Sequence, residues 1–261
     1  MTLRLAISPC PNDIFMFYGL LRKKIETYDL EFEVSLLDIA SLNLLTITEK
    51  IDVCKVSCGV LSLIQENYAY LNNGAAMGFG CGPLLIAREK LTKEELMKAI
   101  IATPGETTTA YHLLKHFYPK VNTKTIIFSQ IEDAILHNSV GAGVIIHENR
   151  FTYEKKGLFK IADLGALWTN KFQLPMPLGL IVIDKKLGND IKLLVDKCIK
   201  MSIEYSYNHF EDALIFCQNY AQEMDKDILR QHIKLYVNAF SVDMKPIGHK
   251  AIHTFLEHTI L

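Results

Sequence analysis

The stretch "GFGCGPLLIAREK", residues 78–90, decides the fold, because a strand–helix rhythm stops before it and starts again after it. Three glycines and one proline fall within 78–83, and such residues punctuate regular structure rather than continue it. Upstream, "LRLAI" (3–7), "EFEVSLLD" (31–38) and "IDVCKVS" (51–57) read as strands. The segments behind them, 14–24, 40–49 and 59–68, carry helical spacing. Downstream, "KAIIATPG" (98–105), "KTIIFS" (124–129) and "GAGVIIHE" (141–148) read as strands, with 107–117 and 131–138 as helices. "LPMPLGLIVIDKK" (174–186) is a further strand, and beyond 188 the pattern is nearly all helical.

The alternation predicts an α/β protein whose sheet is largely parallel and covered on both faces. The restart predicts two lobes, a larger one from 1–86 plus 182–261 and a smaller inserted one from 87–181. Such a chain crosses twice between its lobes and leaves a hinged central cleft, where small ligands usually bind.

The balance of 28 basic and 29 acidic residues offers no basic stripe for nucleic acid. No apolar run approaches the roughly 20 residues of a membrane span. The N-terminus "MTLRLAISPC" lacks a secretory pattern, so a cytoplasmic location is expected. Six cysteines at 10, 54, 58, 81, 198 and 217 form no C-x-x-C pair and fit neither zinc nor a disulfide framework. Most are expected as buried small apolar residues, with Cys10 and Cys81 set apart by their places in Gly- or Pro-rich turns.

Chemistry is expected at the carboxyl ends of the strands, where open α/β sheets bind ligands. Ser8, Ser57, Thr107 and His147 all sit at such predicted ends. In "ATPGETTTAYHLL" (102–114) a strand runs through Pro-Gly into three threonines that open a helix. Unpaired amides and hydroxyls there suit a carboxylate, while a plain N-cap is the simpler use of one threonine. "GVIIHENRFTY" (143–153) ends a buried strand on His147, a residue type suited to proton transfer near neutral pH. His112 and His116 share a helix face but lack a third ligand, so no metal is expected. His209, His232, His249, His253 and His258 lie in the polar C-terminal region and are expected to be solvated. No P-loop, no G-x-G-x-x-G after a strand and no G-x-S-x-G elbow is present. In "SPCPNDIFMFYGL" (8–20) the two prolines hold Ser8 and Cys10 extended, and Asn12 or Asp13 is placed to cap a helix starting near Ile14.

Six ordered motifs carry a family resemblance: "SPCPNDIFMF" (8–17), "GFGCGPLL" (78–85), "IATPGETTTAYHLL" (101–114), "IEDAI" (131–135), "GAGVIIHENRFTYEKKGL" (141–158) and "LPMPLGLIVI" (174–183). Together they resemble the 1,4-dihydroxy-6-naphthoate synthases of the futalosine route to menaquinone, and "HIKLYVNAFSVDM" (232–244) fits that family's tail. The resemblance implies a periplasmic-binding-protein type II fold working as an enzyme. It implies cyclic dehypoxanthine futalosine as substrate, release of the sugar-derived part, and no metal or organic cofactor. By the same resemblance His147 is the catalytic base, and Thr107, Thr108, Ser57 and Asn43 bind the substrate, with Ser8, Asn12 and Asp13 shaping the site.

Two departures stand out. Ile14 replaces the family's threonine, and Cys58-Gly59 replaces a bulkier pair, which is expected to widen the pocket locally. Three other readings fit parts of the pattern: a chorismate dehydratase of the same pathway, a solute-binding protein of this fold, and a regulator's effector domain. The sister dehydratases do not open on a "SPCPND" signature, a binding protein has no need of a histidine at 147 and calls for a secretory leader, and no helix-turn-helix segment is seen. A homodimer is expected only because it is the commonest assembly.

Overall fold

The computed structural model describes residues 1–221 and 225–259, with all side chains except those of His147 and Glu148. The first half lays down β1 (Thr2–Ile7), α1 (Pro11–Leu21), β2 (Glu31–Leu36), α2 (Ile39–Thr48), β3 (Val53–Ser57), α3 (Leu61–Ile64), β4 (Tyr68–Tyr70) and β5 (Ala76–Gly78). A second set follows: β6 (Leu84–Ala87), α4 (Lys93–Lys98), β7 (Ile100–Thr103), α5 (Thr109–Phe117), β8 (Asn122–Thr125), α6 (Ile131–Leu136), β9 (Ala142–Ile145), β10 (Phe159–Asp163) and α7 (Leu164–Phe172). The chain then returns through β11 (Met176–Asp184) and closes with α8 (Gly188–Asn208), α9 (Phe210–Gln218), α10 (Lys226–Tyr236), α11 (Ala239–Val242) and α12 (Lys245–Thr259).

Two sheets result, one per lobe. The first has the order β2-β1-β3-β11-β4, with β5 also paired to β11, and the second has β10-β6-β9-β7-β8. Both are mixed, which corrects the expectation of a largely parallel sheet. β1 pairs in parallel with β2 and β3, but β11 runs antiparallel to β3, and β6 runs antiparallel to β9 and β10. The reason is topological. The chain reaches β6 from the first lobe and β11 from the second, so neither strand is laid down by a helical crossover within its own sheet, and each joins in reverse. The passage between lobes runs between Gly78 and Leu84 and returns between Asp163 and Met176.

Several local expectations shift. The helical reading of 59–68 shrinks to α3, because Tyr68 turns inward and its hydroxyl bonds the Ile51 backbone at 3.0 Å, leaving Tyr68–Tyr70 to pair with β11. The strand read at 124–129 sits earlier, at Asn122–Thr125, as a polar edge strand on β7. β10 and α7 went unread, since "FKIAD" is half exposed and carries a weak apolar pattern. Helix α1 starts at Pro11, not near Ile14. Cys10 takes the extended N-cap position without a side-chain cap bond, and Pro11 fills the first helical position, where its missing N–H costs nothing.

Ten of the eleven residues of α1 are buried, clamped against α8, α9 and α10. Ile14 is fully buried in this cluster, so the departure from threonine serves packing. A second cluster runs across both lobes, from Val56 and Leu61 through Leu113 and Val144 to Phe255 of α12. All six cysteines are buried. Burial pushes the thiols of Cys81 and Cys217 up to about 12, so these are packing residues. No described helix is long and apolar enough to cross a membrane.

Candidate active site

The carboxyl ends of β1, β3 and β9 and the N-terminal turn of α5 meet at a cleft of about 650 Å³, part of it open to solvent. Its lining mixes apolar side chains with polar groups brought in from both lobes. That is the usual composition of a small-molecule site.

The floor comes from the "SPCPND" turn. Ser8 Oγ donates to Asp13 Oδ2 at 2.6 Å, and Asn12 Nδ2 donates to Asp13 Oδ1 at 2.8 Å. The same Oδ1 meets Lys55 Nζ at 3.1 Å, and Lys55 also donates to the Gly74 carbonyl at 3.0 Å. The Lys55 and Asp13 side chains are only 3 % and 2 % exposed, so the charges stand in a low-dielectric wall of the cleft. Burial and the Asp13 carboxylate together hold the Cys54 thiol well above its ordinary range.

One side of the cleft is a seam between the lobes. Asn43, fully buried on α2, accepts from the Ser57 amide at 2.9 Å and donates from Nδ2 to Ser57 Oγ at 3.1 Å. The same nitrogen reaches the Thr107 carbonyl and Oγ1, each at 3.2 Å. Thr108 caps α5: its Oγ1 accepts from the Tyr111 amide at 3.3 Å and donates to the Gly105 carbonyl at 2.6 Å. Thr109 Oγ1 donates to the Leu178 carbonyl at 2.8 Å and accepts from the Gly59 amide at 3.3 Å.

Gly59 does not widen the pocket, which corrects that expectation. A β-carbon there would stand 2.7 Å from His112 Cδ2, 2.8 Å from the Thr108 carbonyl carbon and 2.9 Å from the Thr107 oxygen. The missing side chain instead lets the start of α5 close onto β3.

The opposite wall carries the histidine turn. β9 ends at Ile145, Ile146 lines the cleft, and the 3-10 turn His147–Phe151 begins there. The His147 side chain lies outside the described residues. The turn is held from two sides. Arg150 pairs with Asp163 at 2.5 Å and donates to the carbonyls of Gly82 at 2.8 Å and Gly80 at 3.2 Å. Asn149 donates to the buried Glu132 of the "IEDAI" motif at 2.5 Å, and Lys156 meets the same carboxylate at 2.7 Å.

Of the residues singled out from sequence, Ser8, Asn12, Asp13, Ser57 and Thr108 line the cleft. Asn43 and Thr107 are spent at the seam behind it. Sequence reasoning missed Lys55, His232 and Tyr236. His232 is 1 % exposed and lines the cleft, overturning the expectation that it is solvated; His209, His249, His253 and His258 are exposed as read. The signal was present. Ile228, Leu229, His232, Ile233 and Tyr236 recur at helical spacing and form the buried stripe of α10. Lys55 announced itself too, as a lone cation between apolar neighbours in a short buried strand.

A family model described as menaquinone biosynthesis matches residues 3–260. The chain is 36% identical over 250 residues to the 1,4-dihydroxy-6-naphthoate synthase of Thermus thermophilus, covering 96% of this chain and 91% of that one. It is also 36% identical over 261 residues to the enzyme of the same name from Streptomyces coelicolor, covering 98% and 92%. Among solved structures, a protein from Archaeoglobus fulgidus superposes with a TM-score of 0.94 at 30% identity, over 98% of this chain and 96% of that one. The periplasmic aliphatic sulphonate binding protein of Escherichia coli superposes at 0.67 and 11% identity, over 98% and 87%, which shows the shared periplasmic-binding-protein fold. With two such relatives matched over nearly their whole length and a family model spanning almost every residue, the chain belongs to the menaquinone biosynthesis family.

Proposed function

We propose that the chain converts cyclic dehypoxanthine futalosine to 1,4-dihydroxy-6-naphthoate, releasing the sugar-derived fragment, as a lyase of the cytoplasm. The observation that carries this reading is the 36% identity to two synthases of that name over nearly the full chain. The cleft supports it. His147 opens the turn directly after Ile146, which lines the cavity, and two part-buried polar anchors hold that turn in place.

In this reading His147 removes a proton from the substrate's ring system. The resulting anion collapses and expels the sugar carbons, and aromatisation of the second ring drives the step. Ser57 and the start of α5 receive the substrate's polar groups, while Ser8, Asn12 and Asp13 keep the floor rigid, since loose placement costs rate. The test is to incubate the protein separately with cyclic dehypoxanthine futalosine and with chorismate. A naphthoate chromophore from the first alone supports the assignment. Turnover of chorismate, or of neither compound, overturns it.

A further inference from the structure

Lys55 is the one cation among the described residues lining the cleft, and nothing in the base-initiated scheme employs it. Its surroundings are unusual for a lysine. The side chain is 3 % exposed, in the middle of a fully buried strand, and its ammonium makes two bonds inside the protein, to Asp13 at 3.1 Å and to the Gly74 carbonyl at 3.0 Å. An ammonium carries three N–H donors. Two are spent, and the residue borders the cavity, so one remains for whatever occupies it. Asp13 is held in turn by Ser8 and Asn12, which fixes the ammonium without loose degrees of freedom.

The charge balance indicates what the third donor serves. Lys55 and Asp13 cancel formally, so the pair offers little net attraction to a ligand that is already anionic at that point. It suits an oxygen that is neutral on arrival and becomes negative during reaction, because a preorganised donor gains most where charge develops. A 1,4-dihydroxynaphthalene is the enol form of a ring ketone. Forming it by proton removal therefore sends an electron pair onto that ketone oxygen.

We propose that Lys55 is a further catalytic residue, donating its third N–H to the substrate ring oxygen that becomes an enolate when the base takes the proton. The proton passes from ring carbon to the base. The C–H electron pair moves into the ring and onto the oxygen beside Lys55, then returns to expel the leaving group, which takes up the proton held by the base; the ring ketone so restored enolises, its remaining ring proton passing to the oxygen to give the product hydroxyl. Lys55 keeps its own proton throughout. The inference rests on the function proposed above.

The test uses Lys55→Met, with the double variant Lys55→Met/Asp13→Asn to keep the wall free of an uncompensated charge should the single variant fail to fold. Two readouts are taken. The first is the kcat and KM split on the futalosine-derived substrate. The second is an anaerobic absorbance titration of the ring hydroxyls of 1,4-dihydroxy-6-naphthoate bound to each protein. The expected result is a fall in kcat of about 100-fold or more with KM within about 3-fold, and bound product that ionises at least about one pH unit higher in the variants than in the wild type. Wild-type kcat in a folded variant, a loss confined to KM, or an unchanged ionisation midpoint would each overturn the role of Lys55. Wild-type protein that forms no naphthoate sinks the functional reading instead, so the two failures are told apart.

Discussion

Asn43 of the first lobe donates from Nδ2 to both the carbonyl and the hydroxyl of Thr107 in the second, each at 3.2 Å, while its Oδ1 holds the Ser57 amide at 2.9 Å. One fully buried amide thus ties two strand-to-helix junctions into a single wall. Replacing it by alanine strands the Ser57 N–H and the Thr107 carbonyl, each an orphan costing about 1–3 kcal/mol. Asn43→Ala should lower the melting temperature by several degrees, at about 2–4 °C per kcal/mol for a chain of this size. Asn43→Asp should be worse, because a carboxylate has no donor for the Thr107 oxygens. Thermal unfolding followed by circular dichroism decides it, and an unmoved transition in Asn43→Ala would count against the seam.

Gly59 sits where that wall is thinnest. Gly59→Ala must push α5 or β3 aside, since its β-carbon would meet atoms 2.7–2.9 Å away, two of them backbone. We expect a loss of about 1–3 kcal/mol, typical of overpacking, with a parallel drop in kcat/KM. A fully stable, fully active alanine variant would show that the seam yields freely.

His147→Asn should fold with an unchanged unfolding curve and lose about 100- to 10,000-fold in kcat, the range expected on removing a general base. Near-wild-type turnover would remove His147 from the mechanism.

Arg150 fastens the histidine turn to the inter-lobe passage through Asp163, Gly80 and Gly82. Lysine keeps the charge but not the fork. Arg150→Lys should cut kcat by about 10- to 100-fold while KM moves little, the signature of a displaced catalytic turn. If KM carries the change instead, Arg150 shapes binding rather than catalysis.

The packing of α5 makes stability depend on pH. Burial holds the His112 imidazole below its ordinary pKa, with a hydrogen bond from the ring to the Thr259 carbonyl pulling part of the way back. His116 is lowered by burial first, then by Lys171, whose Nζ stands 2.8 Å from Nε2. A histidine with a depressed folded pKa binds protons more readily when unfolded. Stability is therefore fully present above about pH 6.5 and lost as pH falls through the folded values. Melting temperatures from pH 8 to pH 5 should decline on the acid side, and His112→Leu should flatten that decline. An equal slope in the variant would place the acid sensitivity elsewhere.

Much of this was legible in the chain itself. The strand–helix rhythm and its restart at 78–90 yielded two lobes, because hydrophobic periodicity and glycine–proline breaks are local properties. The ends of β1, β3 and β9 carried Ser8, Ser57 and His147 in plain view, since strand ends follow from strand runs. Weakly apolar edge strands such as β8 and the half-exposed β10 escaped that criterion.

What only the tertiary structure decided is who stands beside whom. Strand pairing sets β1 against β3, and only that register brings Asp13 to Lys55; neither residue's sequence neighbours reveal the pair. Lobe docking turns the threonines of "TTT" from three equivalent hydroxyls into a seam bond, a helix cap and an inter-strand tie. Folding of the C-terminal helices onto the cleft makes His232 a wall of the site. Local sequence encodes which face of a helix is buried, but the partner across that face comes from residues far away along the chain, joined by packing.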